Sequence, residues 1–424
     1  MSVRVRLCLS VLSGLCLTAL AIRQFWSMLG TGVMQLNHSL QLAYCTNIHR
    51  GETWEETFFS LQNYALAVRQ QVCPQKPFAI GLRLSQRAAL ELSDRARLQD
   101  FRRWLTQNAC YVFTINGFPY GQFHGTRVKE HVYSPDWIVP ERLAYTNLLF
   151  DLLAELLPPG LEGSVSTLPC TFKEFYPSPD SLKLIRQNLW RCVEHIALLH
   201  ARTGRKMHLG LEPEPMCHIE STGETMQLFD RLRAEHPRDE RLAEHLGVNY
   251  DTCHFAVEFE EPLNALACLA NDGIKISKLQ LSSALKVVPT PEAREALRGY
   301  ADDIYLHQVV ARDAAGSRMI FRDLPDALAH ARTDYGPDVE LPEWRIHFHV
   351  PLHAPAAPPF ENTNDHILGV LDLLAQNPQL CSHLEMETYT WEVLPPALKS
   401  QDVVTQLAAE YEWTLAQLQE RGLA

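Results

Sequence analysis

Side chains able to hold a cation or move a proton close four apolar runs in the second half of the chain. LGLEPEP carries Glu212 and Glu214, VNYDTCH carries Asp251 and His254, RIHFHVPLH carries His347, His349 and His353, and LEMETYTW carries Glu385 and Glu387. Carboxylates and imidazoles are the ligands that Zn²⁺, Mn²⁺ and Mg²⁺ take. Residues two apart share a face of a strand, so Glu212 with Glu214, His347 with His349, and Glu385 with Glu387 form same-face pairs. Pro213 and Pro215 end the ladder after Glu212, which leaves Glu212 the better-fixed of its pair. Asp251 and His254 lie across a strand-to-loop turn, close enough to serve one cation. If the four runs are neighbouring parallel strands, their ends converge at one rim of a barrel. Taken singly, each side chain reads more readily as a salt-bridge partner or a hydrogen-bonded cap than as a ligand. The ordered recurrence at successive strand ends is what points to a divalent-metal site.

The elements that would position these groups are legible as alternating short apolar runs and longer amphipathic stretches. Strands are expected at 42–49, 78–85, 111–117, 165–172, 208–215, 247–254, 277–285, 345–353 and 383–391, one more than a closed eight-stranded barrel needs. Between them, 181–203 carries Leu182, Ile185, Leu189, Val193 and Ile196 at helical spacing, with Gly204 as its C-cap. Ser221 with Glu224 reads as a capping box opening another helix, and 364–376 is a third. Repeated strand–helix–strand order implies right-handed parallel crossovers, hence α/β, and its persistence along the chain favours a single (β/α)8 barrel over an open sheet. Two features break the rhythm. Residues 303–323 read as an inserted β-hairpin turning at Ala-Ala-Gly-Ser, and 116–137 as a long aromatic loop of the kind that shapes a pocket or simply packs on the surface.

Composition narrows the function classes. The 424 residues are 46% hydrophobic and 21% charged, an ordinary globular balance, and the net charge of −12 opposes general attraction to nucleic acid. Eleven cysteines without a Cys-x-x-Cys pair read as buried small hydrophobes in a reducing, cytoplasmic setting. Residues 7–22 are uncharged and apolar and follow Arg4 and Arg6. Residues 1–33 are therefore either an upstream extension, with the working chain spanning 34–424, or a signal or anchor that would bring the protein to a membrane.

The order Glu212, Asp251-x-x-His254, His347-x-His349 and Glu387 is similar to that of the xylose isomerase-like TIM barrel superfamily of sugar isomerases, epimerases and type IV AP endonucleases. The runs LAYCTNIHRGETWEE, VSTLPCTF, LGLEPEP, YDTCHFAVEFE, KLQLSSAL and ETYTWEVLP, over residues 36–395, more closely resemble the EboE family of metabolite traffic proteins. That resemblance implies a xylose isomerase-like barrel with long βα loops, encoded among Ebo genes that help move a secondary-metabolite precursor toward the periplasm, with other Ebo proteins as partners. The chain departs from the superfamily where Gln280 stands in place of a metal-ligating histidine, and its early strands lack the histidine pair of a multi-zinc endonuclease.

Two readings stay open. In the enzyme reading, Glu212, Asp251, His349 and Glu387 hold one divalent ion (Zn, Mn or Mg), and Glu212 and Glu387 act as acid and base on a small-molecule metabolite. His254 then orients a substrate oxygen, Lys278 or Arg83 neutralises an anionic group, and His347, Gln280, Asn116, Tyr389 and Trp391 complete the substrate contacts. In the binding reading, a barrel that has lost full metal coordination holds the metabolite without turnover.

Overall fold

Eight parallel strands close on themselves in the computed structural model, which describes residues 36–330, 342–354, 358–396, 398–399 and 401–424. The apolar segment 7–22 lies outside the described residues. Among the described residues, no helix is long and apolar enough to cross a membrane.

The barrel strands are β1 (Gln41–Cys45), β2 (Phe78–Arg83), β3 (Cys110–Asn116), β4 (Gly163–Thr167), β5 (Met207–Leu211), β6 (Leu246–Asp251), β7 (Lys275–Leu281) and, last in the chain, β13 (His383–Met386), which pairs with both β1 and β7. Helices cover the outer face. Pro179–Thr203 starts on a Ser178 cap and stops at Gly204, whose φ of 69° is the left-handed conformation expected of it. The helix Thr222–Glu235 realises half of the expected capping box: Ser221 Oγ accepts from Glu224 N, but the Glu224 carboxylate accepts from Glu220 N and Lys173 Nζ instead.

The ninth expected strand is not part of the barrel, and this corrects the assumption that all four ligand-bearing runs are parallel neighbours. Residues 345–353 fall mostly in β11 (Glu343–His349), which lies in a second, antiparallel sheet with β8 (Ala284–Val287), β9 (Val309–Arg312), β10 (Arg318–Phe321) and β12 (Phe360–Asn362), in the order β10-β9-β11-β8-β12. The expected hairpin is present as β9–β10, and it belongs to this larger insertion between β7 and the eighth barrel strand. The physical reason is the alternation within β11. Trp344, Ile346 and Phe348 pack into the insertion's own apolar cluster with Leu285, Val287 and Leu297, while His347 and His349 take the opposite face. That face covers the C-terminal mouth of the barrel.

Candidate metal centre

Three carboxylates meet at this mouth. Glu212 follows β5, Asp251 ends β6 and Glu387 follows β13, and each offers an oxygen within 4.8 Å of the others, all three buried. A row of amides links them. Asn249 Nδ2 donates to Glu212 Oε2 at 2.7 Å and also to Gln280 Oε1; Gln280 Nε2 donates to Glu387 Oε2, and Asn47 Nδ2 to Glu387 Oε1. Gln280 thus stands in register with Asp251 and Glu385, and its amide braces a carboxylate. Asp251 Oδ1 accepts from Ser282 Oγ at 2.6 Å and from His254 N at 3.0 Å, capping the short helix Thr252–Val257, whereas its Oδ2 has no hydrogen-bond partner.

The electrostatics suit a cation. Burial, together with Asp251 and Glu214, pushes the Glu212 carboxyl up to about 8, and burial with Glu212, Asp251 and Glu385 raises Glu387 well above the usual carboxylate range. Burial also acts to raise Asp251, but the neighbouring His254 and His349 and the bond from Ser282 outweigh it and hold it low. Concentrated, buried and partly orphaned oxygen donors fit a divalent ion, whose charge replaces the missing solvation.

The structure groups His349 with Asp251 and His254 rather than with all three carboxylates. His254 and His347 face one another, with their Nε2 atoms 3.1 Å apart, and His347 also lies beside Glu214. Burial depresses the His349 imidazole to about 4 and His347 well below its ordinary value. A small cavity opens above these groups, lined by Glu212, Glu214, His254, His347, Glu387, Asn47, Asn116 and Tyr389 on its polar side. Its roof is apolar and comes from the 116–137 loop (Phe118, Phe123, Val128, Val132, Tyr133) and the insertion (Tyr305, Leu306). Val128 N and Lys129 N both donate to Ile304 O at 2.8 Å, pinning loop to insertion.

Four residues expected to contact substrate are engaged elsewhere, Gln280 between Asn249 and Glu387 being the first. Lys278 Nζ sits within the barrel, bound to Glu385 Oε2 at 2.5 Å, Asn116 Oδ1 at 2.6 Å and Ser166 Oγ at 3.3 Å. The Arg83 guanidinium ties Glu52 and Gly121 O together across two loops. Trp391 lines a separate outer groove with Arg50, Glu392 and Lys399. Residues that sequence reasoning missed are Asn249, Gln308 and Tyr133. Asn249 lies two positions before Asp251 on the same strand face, so period two was a usable signal. Tyr133 lies in the aromatic 116–137 loop, whose composition was a usable signal, and Gln308 in the insertion, where nothing in the sequence marks it.

No known family profile and no curated protein matches the chain. Among solved structures it is similar to a xylose isomerase-like TIM barrel protein from Mycobacterium smegmatis in complex with magnesium, at TM-score 0.50 and 13% identity over 91% of this chain and 99% of that one. It is also similar to the IolI protein with a bound zinc atom (TM-score 0.46, 10% identity, 90% and 98% covered) and to an L-ribulose 3-epimerase (TM-score 0.46, 10% identity, 90% and 94% covered). With the closed eight-stranded barrel, the first of these likenesses defines the class: an α/β protein of xylose isomerase-like TIM barrel fold.

Proposed function

We propose that the chain is a divalent-metal-dependent barrel of the sugar isomerase or epimerase kind, acting on a small neutral polyol-like metabolite. Its setting, following the resemblance to EboE, is cytoplasmic processing or transport of a secondary-metabolite precursor toward the periplasm, alongside other Ebo proteins. The observation that carries this reading is the convergence of Glu212, Asp251 and Glu387 within 4.8 Å of one another, with Glu212 and Glu387 lining a small cavity. These three residues would hold the ion, with His349 beside Asp251. A Zn²⁺, Mn²⁺ or Mg²⁺ ion bound there supplies polarisation of a substrate carbonyl or hydroxyl oxygen.

The chain's own groups supply the proton chemistry. Glu212 and Glu387 both border the cavity, so one carboxylate takes a proton from a substrate carbon and the other returns one to the neighbouring position or the opposite face. His254 orients a substrate oxygen. A neutral substrate is favoured because the one lysine or arginine among the described lining residues, Lys129, is already paired with Asp323 at 2.6 Å.

One observation favours a second reading, a metabolite-binding barrel without turnover: Gln280, a neutral amide, occupies the histidine position and is consumed by Asn249 and Glu387. The test is solvent-deuterium exchange followed by NMR, with Mn²⁺- or Mg²⁺-loaded protein and a panel of small ketoses and cyclic polyol ketones. Deuterium entering a carbon-bound position, and absent with the Glu212→Gln, Glu387→Gln double variant, is the expected result. Binding of a panel compound without any exchange supports the second reading and overturns the first.

A further inference from the structure

At the other end of the barrel, where β5 and β6 begin, two helices finish side by side. Pro179–Thr203 carries His200 in its last turn, and the short helix Arg241–His245 ends on Glu244 and His245 immediately before β6. Their three side chains meet. Glu244 Oε1 lies 3.5 Å from His200 Nδ1, and Glu244 Oε2 lies 3.6 Å from His245 Nε2, so one carboxylate oxygen faces each ring. The two rings stand edge to face, with centroids 5.7 Å apart and planes at 87°.

The tautomer of His245 makes this more than an ion pair. The residue is 1% exposed, and its Nδ1 lies 2.8 Å from Met207 O. A carbonyl oxygen only accepts, so Nδ1 carries the hydrogen and Nε2 turns a lone pair toward Glu244. Burial holds the ring below its ordinary pKa, so it stays neutral at neutral pH and brings no second proton to that contact. Among the described residues, no lysine or arginine pairs with Glu244. At this end of the barrel Lys206 and Lys275 pair with Glu162 at 2.7 and 3.5 Å, and Arg241 pairs with Asp239 at 2.6 Å. A lone pair facing a carboxylate is a contact between two acceptors, and a cation bound by both resolves it. The C-terminal end of a 25-residue helix, where His200 sits, adds a partial negative charge that favours the same cation. An imidazole oriented by an Nδ1–H bond to a backbone carbonyl is also the arrangement in which histidines bind metals.

We propose that His200, Glu244 and His245 bind a Zn²⁺ ion at the N-terminal end of the barrel, opposite the mouth that holds the carboxylate trio. Two imidazoles and one carboxylate are a zinc-type donor set. Ligands about 2.0–2.1 Å from a tetrahedral zinc stand about 3.3 Å from one another. The two observed edges, 3.5 and 3.6 Å, are already close to that spacing, and one ligand atom from each residue lies within 4.8 Å of the others. The His200 and Glu244 side chains are 34% and 38% exposed, which gives the ion a path in and leaves its fourth position to water. Once bound, the ion ties together the ends of two helices that lead into adjacent barrel strands. The site acts as a structural clamp, and it requires neither the carboxylate trio nor the proposed reaction.

The test starts from the full chain carrying Glu212→Gln and Glu387→Gln, so that the trio at the mouth has lost two of its three charges. His200→Gln or Glu244→Gln is then added to this parent. Both positions are partly exposed, so both variants should match the parent's metal-free melting temperature, whereas the buried His245 is left intact. Bound zinc is measured by plasma mass spectrometry after dialysis against buffered free Zn²⁺, and melting by scanning fluorimetry. The expected result is one equivalent more zinc in the parent than in either variant. Zinc at about 100 times its dissociation constant should also raise the parent's melting temperature by about 3 °C more than either variant's. Hydrogen exchange read by mass spectrometry locates the ion: zinc should slow exchange across 200–206 and 241–247 in the parent and in neither variant. Equal zinc content in the parent and both variants overturns the site, and so does exchange in those two segments that zinc leaves unchanged. Neither failure touches the proposed function, because Glu212 and Glu387 are already replaced in every chain compared.

Discussion

Replacing Glu212 by glutamine separates the cost of the carboxylate trio from its use. Glutamine keeps the length of the side chain and still accepts from Asn249 Nδ2, which lies 2.7 Å from Glu212 Oε2, so the packing survives. The charge does not. The Glu212 carboxyl titrates at about 8 in the folded chain against an ordinary 4.5, because burial and the neighbouring Asp251 and Glu214 disfavour its ionised form. Between those values the folded chain binds more protons than the unfolded one. Metal-free stability therefore is fully present below about 4.5, falls as pH rises through the window, and has lost most of this contribution by pH 7. The loss at pH 7 is about 3 kcal/mol, from roughly 2.5 pH units at about 1.4 kcal/mol each. A chain of this size has an unfolding entropy of about 0.9 kcal/mol per kelvin, so metal-free Glu212→Gln should melt about 3–4 °C above wild type at pH 7 and together with it near pH 4.5. Manganese at about 100 times its dissociation constant should raise wild type by about 2.7 kcal/mol, close to 3 °C, and leave the variant unmoved. Differential scanning fluorimetry at the two pH values, with chelator or with Mn²⁺, reads all four cases. A metal-free variant that melts at or below wild type at pH 7, or one that still responds to Mn²⁺, refutes the reasoning.

Other residues give independent checks. Asn47→Ala removes the amide that donates to Glu387 Oε1 and should weaken metal binding about 10–100-fold in a chelator competition, with unchanged affinity counting against the bracing role. Gly81→Ala would put a Cβ 1.6 Å from Glu385 Oε1, a side chain pinned by Lys278 at 2.5 Å and Asn116 at 2.9 Å, so urea unfolding should show a loss of about 3 kcal/mol or more; a loss under about 1 kcal/mol contradicts the close approach. Burial raises the Glu410 carboxyl from 4.5 to about 7, so it too is more protonated folded than unfolded. Its contribution to stability should fall by about 3 kcal/mol as pH rises from 4.5 to 7, and Glu410→Gln should flatten that part of the profile; identical slopes for variant and wild type rule the assignment out.

Much of the barrel could be read from the chain because its signals are local. Apolar runs such as FAIGLR and KLQL mark strands wherever they sit, Ser178 and Gly204 bound their helix by backbone geometry alone, and Glu212, Asp251 and Glu387 follow strand ends whose direction parallel pairing sets. Which ligands share an ion is a matter of distance between segments far apart in sequence, and there the tertiary structure decided. RIHFHVPLH has the composition of a barrel strand, but eight strands already close the barrel. Its alternation sends Trp344, Ile346 and Phe348 into a separate apolar core and lowers His347 and His349 over the mouth from the opposite side. Lys278 and Arg83 are cations in sequence and would serve an anionic substrate equally well on paper; folding buries both against Glu385 and Glu52 before any ligand can reach them. Residue type and spacing determined the chemistry available to this protein, whereas burial and non-local pairing selected which of those groups remain free to use it.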